Sequence, residues 1–360
     1  MDELVGGVRA AAWPLIRNDL GLSYAEIGLA LAIPGLLGSA LEPVVGVLGD
    51  TPRRRAVVVG SGAVFTLSVA LTAGAVGFWS LLIALAVGNP ATSGFVSLSQ
   101  AALMDLASAR RERLMAWWTL VGSLGYVGGP LLLAVALALG AGWRGALLVL
   151  AVAAAILAVA ARRVPAAPRA TPVRNALRGA VSALSERDVV RWLTVLKAAD
   201  LLLDVFHGFL ALYLVDVAGT SPGAAGLAVA VWTGAGLLGD AALIPMLGRV
   251  PGWTYLRATA VVVVPAYAAF LLVDSFAAKF VLLAVLGLVN AGWYAIPKAA
   301  LYDALPGRSG TAVAVSGFAG LVHSAVPAVF GAAAGAFGLA PVMWALILAP
   351  VAILALVPRR

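Results

Sequence analysis

"SYAEIGLALAI" (residues 23–33) returns 198 residues later, without a gap, as "SPGAAGLAVAV" (221–231). At the same offset Asp2 falls on Asp200, Glu42 on Asp240, Asp105 on Asp303, Arg110 on Arg308, Gly122 on Gly320 and Arg162 on Arg360. Each coincidence is weak alone. Their agreement in one register over about 160 residues, through turns as well as apolar segments, marks an internal repeat. The chain therefore reads as two halves, 1–162 and 189–360, joined by a polar linker at 163–188.

The composition says what each half is made of. The chain has 360 residues, 62% of them hydrophobic, with 40 glycines, 10 tryptophans and a mean hydropathy of +1.03. That is more apolar sequence than one soluble core of this length encloses. Runs of roughly 20 apolar residues, each enough to cross a ~30 Å hydrocarbon layer as helix, recur from end to end. They fall near 1–17, 24–48, 56–77, 79–105, 114–139, 143–162, 189–217, 223–247, 254–274, 277–303, 310–337 and 339–358. The alternating pattern of a transmembrane barrel is absent, and in lipid only helices or closed barrels satisfy the backbone. The expected fold is an all-α polytopic membrane protein of two six-helix bundles, both in the same orientation because six is even. The first span is short: its counterpart starts near Val189, eleven residues before Asp200, whereas only Met1 precedes Asp2. Either this helix is naturally short, or the sequence starts at an internal methionine. Ionised groups at mid-membrane cost roughly 2.5–3.5 kcal/mol each on insertion scales, which favours the second reading.

Charge sets the orientation. Dealing the turns alternately to two sides puts eighteen arginines on one side, against Arg17, Arg144 and Lys279 on the other. This positive-inside bias places the arginine-rich side and the C-terminus in the cytoplasm, as for a bacterial plasma (inner) membrane protein. The net charge of +8 is spread over the flanks of apolar spans, so a nucleic-acid partner is not expected. No cysteine is present, which excludes disulfides and thiolate metal sites, and the acids Asp2 and Glu3 stand where a secretory leader carries basic residues. In the linker, Val173, Leu177, Val181 and Leu184 share one helical face, with Arg174, Arg178 and Arg187 elsewhere. That suits either a short helix on the cytoplasmic leaflet or a plain connector.

Between the second and third spans lies "GVLGDTPRRR" (46–55), a dense patch of charge in a chain only 11% charged. Two parallel six-helix repeats with a basic linker resemble the major facilitator superfamily, whose signature at this turn runs G-x-x-x-D-R/K-x-G-R-R/K. Gly46, Asp50, Arg54 and Arg55 match it, while Thr51 replaces a basic residue and Arg53 a glycine. In the fifth span "GSLGYVGGPLLL" holds Gly122, Gly125, Gly129 and Pro130, similar to the glycine-proline signature of members that export by antiport. The fourth span lacks the family's membrane-embedded arginine. The resemblance implies a secondary transporter that rocks two halves about a site lined by spans 1, 4, 7 and 10. It also implies that Asp50 caps the eleventh span near Gly310, and engages an arginine at 110–113, to hold the cytoplasmic side shut. A carboxylate at a helix N-terminus and a bidentate arginine are both compatible with that role. Arg53, Arg54 and Arg55 alone would serve equally as topological anchors, and the equivalent turn "IPMLGRVPGW" (244–253) lacks the acid.

Ionisable residues inside spans are the candidates for substrate or proton traffic. Lys197, Asp200, Asp204 and His207 share a face of the seventh span, with Asp200 about 16 Å from its start at ~1.5 Å per residue. An internal salt-bridged network is the structural alternative. Asp2 and Arg9 repeat the pattern in the first span, and Lys298 is a further cavity candidate. Asp105 with Arg110, and Asp303 with Arg308, are expected to join the closing network. His323 reads as a satisfied interior residue.

The expected activity is proton-linked secondary transport of a small solute, with efflux by antiport favoured over uptake symport and a monomer in the bilayer as the working unit. Asp200 and Asp204 are the candidate proton carriers, since a buried carboxylate binds its proton more tightly when dry than when wet. Drug-like amphiphile, sugar and organic anion all remain as substrate classes. No cofactor and no metal are expected: there is no G-x-x-x-x-G-K-[ST] loop for an ATP-driven pump, and no H-E-x-x-H for hydrolytic zinc. A membrane sensor or scaffold with the same fold is the other alternative.

Overall fold

The computed structural model describes residues 1–22, 24–106, 110–165, 167, 172–220 and 222–358. Ser23, Ser221, Arg169, Arg359 and Arg360 lie outside the described residues, as do the side chains of Arg17, Val173 and Leu177. The regular structure among the described residues is entirely helical: α1 (Asp2–Leu20), α2 (Tyr24–Gly49), α3 (Arg54–Ala73), α4 (Phe78–Leu106), α5 (Arg111–Ala138), α6 (Gly142–Arg163) and the linker helix α7 (Val173–Ala183). Then come α8 (187–217), α9 (Pro222–Met246), α10 (Gly252–Leu272), α11 (Phe276–Val289), α12 (Ala295–Ala304), α13 (Ser309–His323), α14 (Val326–Phe337) and α15 (Leu339–Leu356). Eight of these helices are long and apolar enough to cross a membrane unaided. Large apolar side chains such as Leu31, Leu67, Ile83, Ile156 and Val262 are more than half exposed or close to it, which in a spanning helix is the lipid face.

The repeat is visible in the helix boundaries. Tyr24, Arg54, Phe78 and Arg111 begin α2 to α5, and the residues 198 further on, Pro222, Gly252, Phe276 and Ser309, begin α9, α10, α11 and α13. Three differences have local causes. The α4 helix stays continuous through a π-turn at Ser93–Ser97, whereas its counterpart breaks between α11 and α12 at Gly292, whose φ of +78° is one that side chains with a Cβ avoid. The break between α13 and α14 precedes Pro327, which has no N–H to continue the ladder. The third lies in α8, which runs Arg187–Asp200, a π-turn Leu201–Phe206, His207–Leu212 and a second π-turn Tyr213–Val217.

Two compact units make up the molecule. The first gathers Met1–Ser108, Val121–Glu186 and Leu305–Leu321; the second Ala109–Leu120, Arg187–Ala304 and Val322–Arg360. In the first, α1 and α5 meet backbone to backbone: a Cβ at Gly129 would lie 2.5 Å from the carbonyl carbon of Gly7, so the glycines permit the crossing. Gly125 lies against Leu4, and Pro130 stays inside the α5 helix. The linker helix α7 buries Ala180 against Val47 and Ala314 while Arg174 and Arg178 are exposed. Val181 and Leu184 of its apolar face are exposed. In the second unit Phe206 sits edge-on to Trp232, Tyr267 and Phe270, at 5.0, 5.5 and 5.6 Å between centroids, and the buried Tyr267 hydroxyl donates to the Met343 carbonyl at 2.7 Å. Lys279, dealt by the sequence to a turn, lies instead in the first turn of α11, 3% exposed, donating to the Phe270 carbonyl at 2.7 Å. Its long apolar stem makes that burial possible.

Candidate functional site

The turn between α2 and α3 is built by its own residues. Thr51, buried, donates through its hydroxyl to the Leu48 carbonyl at 2.7 Å and accepts from the Arg53 amide at 3.2 Å. A side chain that closes the turn on itself explains why threonine is tolerated where the family signature has a basic residue. The turn presents Asp50, 2% exposed, to the first turn of α13. Its Oδ1 accepts from the Gly310 amide at 2.7 Å, and its Oδ2 from the Thr311 amide at 2.6 Å and from the Thr311 hydroxyl. These are donors that a helix start leaves without intrahelical partners, at the positive end of the helix dipole.

Arg54, fully buried, completes the cluster. Its Nε donates to the Gly49 carbonyl at 2.5 Å, Nη1 to Asp105 Oδ2 at 2.6 Å and Nη2 to the Ser309 hydroxyl at 2.6 Å; Asp50 Oδ1 lies 3.6 Å from Nη2. Ser309 in turn donates to Asp105 at 2.6 Å. Two carboxylates thus share one guanidinium and one helix start, and the charges and donors offset the expense of burial. Burial pushes the Asp50 carboxyl above the usual carboxylate range, against the opposing pull of Thr311, Gly310 and Arg54. Gly46 makes the approach possible: a Cβ there would meet the Ala314 backbone, with the Gly310 carbonyl at 2.7 Å. Arg55 points away and donates to the Val164 carbonyl at 2.9 Å.

The ion pairs are distributed differently from the sequence expectation. Asp105 takes Arg54 rather than Arg110, which is exposed. Asp303 takes Arg111 at 2.6 Å rather than Arg308, and Arg308 pairs with Glu186 at 3.0 Å. Asp50 has Arg54 beside it rather than an arginine of the 110–113 turn. Sequence reasoning also passed over Glu112, whose carboxylate accepts from the Gly252 amide at 3.2 Å, at the first residue of α10. The second half, with no acid in its own equivalent turn, thus has a carboxylate from α5 at a helix start. The readable signal was an acid one residue into an arginine-rich turn.

The α8 stripe is split by its π-turn. Asp200, 8% exposed, accepts from Lys197 Nζ at 2.7 Å. Asp204 lies inside the π-turn with its side chain 67% exposed, and His207 follows it, also exposed. His323, at the end of α13, brings its Nε2 to 3.9 Å from Asp204 Oδ2. Lys298 of α12 is buried, its Nζ 5.9 Å from the centre of the Tyr302 ring. In α1, Asp2 lies 3.7 Å from the terminal amine. Arg9 lines a small cavity with Asn89 and Thr92 of α4 and Ser68 and Thr72 of α3.

Known proteins give this architecture a family. The sequence pattern of the Major Facilitator Superfamily matches residues 5–327. The chain belongs to that superfamily, and its fold is one built for secondary transport. Among solved structures, the human organic anion transporter MFSD10 (TETRAN) is similar at 18% identity, covering 99% of this chain and 96% of its own, with a TM-score of 0.77. A variant of the E. coli fucose:proton symporter FucP is similar at 12% identity over 99% and 94%, with a TM-score of 0.79. FucP in its outward conformation matches at 14% identity over the same shares, with a TM-score of 0.80. No curated protein matches in sequence.

Proposed function

We propose that the chain is a proton-coupled secondary active transporter that works by alternating access as a monomer, exporting its solute across a bacterial plasma membrane with the C-terminus in the cytoplasm. Its two six-helix halves, 1–162 and 189–360, move as the working parts, with 163–188 as tether. Coupling rests on one observation: Asp200 and Asp204, four residues apart around the π-turn of α8, stand together with an ammonium group on Asp200 and none described on Asp204. Replacing both by asparagine is expected to lower pH-gradient-driven transport in vesicles at least about tenfold. Transport that follows the gradient equally well without them contradicts the assignment. Reversing the gradient separates antiport from uptake symport.

The Asp50 clamp, with Arg54, Asp105, Gly46 and Ser309, serves as the cytoplasmic latch in this reading, and Glu112 with Arg111 and Asp303 as its counterpart. Arg55, Arg110 and Arg308 remain on its rim as topological anchors. No enzymatic step is required.

An organic anion fits the N-terminal cavity best. The described lining offers the Arg9 guanidinium and the Asn89 amide as donors and no carboxylate, and no described residue accepts a hydrogen bond from Arg9. The hydroxyls of Thr72 and Thr92 are turned to backbone carbonyls of their own helices and that of Ser68 to the Ala84 carbonyl. Arg9 is half-buried and in no described salt bridge, with Asp2 two turns away along α1 as the acid that acts on it, and a cation so placed is stabilised by an incoming anion. That the human relative is an organic anion transporter agrees with this reading. Benzoate is expected to raise the unfolding temperature of the detergent-purified protein more than benzamide does, and Arg9→Gln to erase the difference. Equal effects of the acid and its amide would remove anion recognition from the account.

A further inference from the structure

Accepting the proton-coupled reading of α8, the remaining question is where the proton sits. Asp200 is already neutralised by Lys197 at 2.7 Å. Among the described residues no lysine or arginine pairs with Asp204. Facing it at 3.9 Å is Nε2 of His323, a buried ring nitrogen with no hydrogen-bond partner among the described residues, in a side chain 14% exposed. The side-chain oxygens of Asp200 and Asp204 and the ring nitrogen of His323 all lie within 4.8 Å of one another. The histidine was expected to be a satisfied interior residue, and it is not.

The chemistry of that arrangement allows few states. If Nε2 carries hydrogen, a buried N–H stands 3.9 Å from the Asp204 carboxylate, beyond hydrogen-bond length. If it carries none, its lone pair faces a carboxylate. A small side-chain rotation lets a neutral Nε2–H donate to the carboxylate, and one added proton turns that contact into a stronger, charge-assisted bond from an imidazolium. Charge points the same way: the Lys197 ammonium, two carboxylates and a neutral imidazole sum to −1, and a single proton brings the group to zero. A neutral group passes through a dry state far more readily than a charged one. His207 is exposed further along α8, Lys298 of α12 lies against Tyr302, and Asp303 is held by Arg111.

We infer that Asp204 and His323 form one proton-binding pair, the carboxylate collecting the proton from water and the imidazole holding it, with Lys197 and Asp200 as a fixed ion pair beside them. An ionisable side chain as open as Asp204 in a spanning helix faces water rather than lipid, so the proton has a route in. The pair refines the coupling site from two aspartates to one aspartate and a histidine on a different helix.

The chain has only two histidines, so nitrogen-15 labelling of histidine in the full-length protein in lipid nanodiscs resolves both rings, and His207→Gln tells them apart. Asp204→Asn is expected to lower the titration midpoint of His323 by at least about one pH unit, a tenfold loss of proton affinity. A midpoint unchanged by Asp204→Asn overturns the pair. As a second measure, His323→Gln is expected to abolish the proton uptake that the wild-type protein shows between about pH 5 and 8 beyond that of His207. Unaltered uptake overturns it as well. The two readings fail separately: transport that ignores the pH gradient removes proton coupling whatever the midpoints are, whereas pH-driven transport that survives His323→Gln removes the pair and leaves coupling on the aspartates.

Discussion

Asp50→Ala is expected to leave a protein that inserts and folds but no longer holds its latch, with transport reduced at least about a hundredfold. The carboxylate accepts from two backbone amides and one hydroxyl at the start of α13, while the neighbouring Asp105 is engaged by Ser309 and Arg54. Its removal leaves those donors without acceptors, and leaves the buried Arg54 with Asp105 as its one remaining acid. Breaking a buried pair by deleting one member costs about 3–5 kcal/mol, more than the few kcal/mol that separate conformations in a working transporter. Asp50→Asn tests the charge alone. An amide keeps one acceptor oxygen but sets its NH2 against N–H donors, so it is expected to recover little. Counterflow of any ligand found by a stability screen reads the loss, and full transport by Asp50→Ala would show the clamp to be incidental.

Gly46→Val is expected to damage the same latch from the other side. A Cβ at this position meets backbone atoms of Ala314 and the Gly310 carbonyl, and backbone cannot swing aside as a flexible side chain does. The α2 and α13 helices would have to separate, and Asp50 could no longer reach the amides of Gly310 and Thr311. In lipid, close approach of helices through small residues is itself a main source of association, so the loss is not made good elsewhere. A fall in stability of about 3 kcal/mol or more is expected. Gly60→Ala is the control, since nothing lies within 4 Å of a Cβ there, and inside α3 it is expected to be neutral or stabilising by up to about 1 kcal/mol. Matching unfolding temperatures for the two variants would show that the crossing is looser than the structure has it.

The architecture was legible because the repeat is carried by backbone-scale features. Helices beginning at Tyr24, Arg54, Phe78 and Arg111, and again 198 residues later, follow from runs of apolar residues and the turns between them. The ion pairs were not legible in the same way. Asp105 and Arg110 are five residues apart, yet Asp105 bonds Arg54, because which turn faces which depends on helix rotation and crossing rather than on sequence separation. Glu112 was hidden for the same reason, since its partner Gly252 is 140 residues away. The α8 stripe reads as one face at 3.6 residues per turn, but the π-turn at Leu201–Phe206 inserts a residue into that count. Asp200, in the regular turn before it, is buried beside Lys197, while Asp204 within it opens outward. His323 lies in α13, and nothing in α8 announces it.

The central claim is that the Asp50 clamp closes one side of a moving transporter. The absence of cysteine makes a direct measurement possible. Val47→Cys places a single thiol of similar size at a site 5% exposed, packed on Ala314 of α13 and Ala180 of α7. With Asp50 intact, modification by a water-soluble maleimide is expected to be slow, and Asp50→Ala is expected to speed it about a hundredfold, since labelling follows the population of the open latch. Equal labelling rates with and without Asp50 would contradict the account.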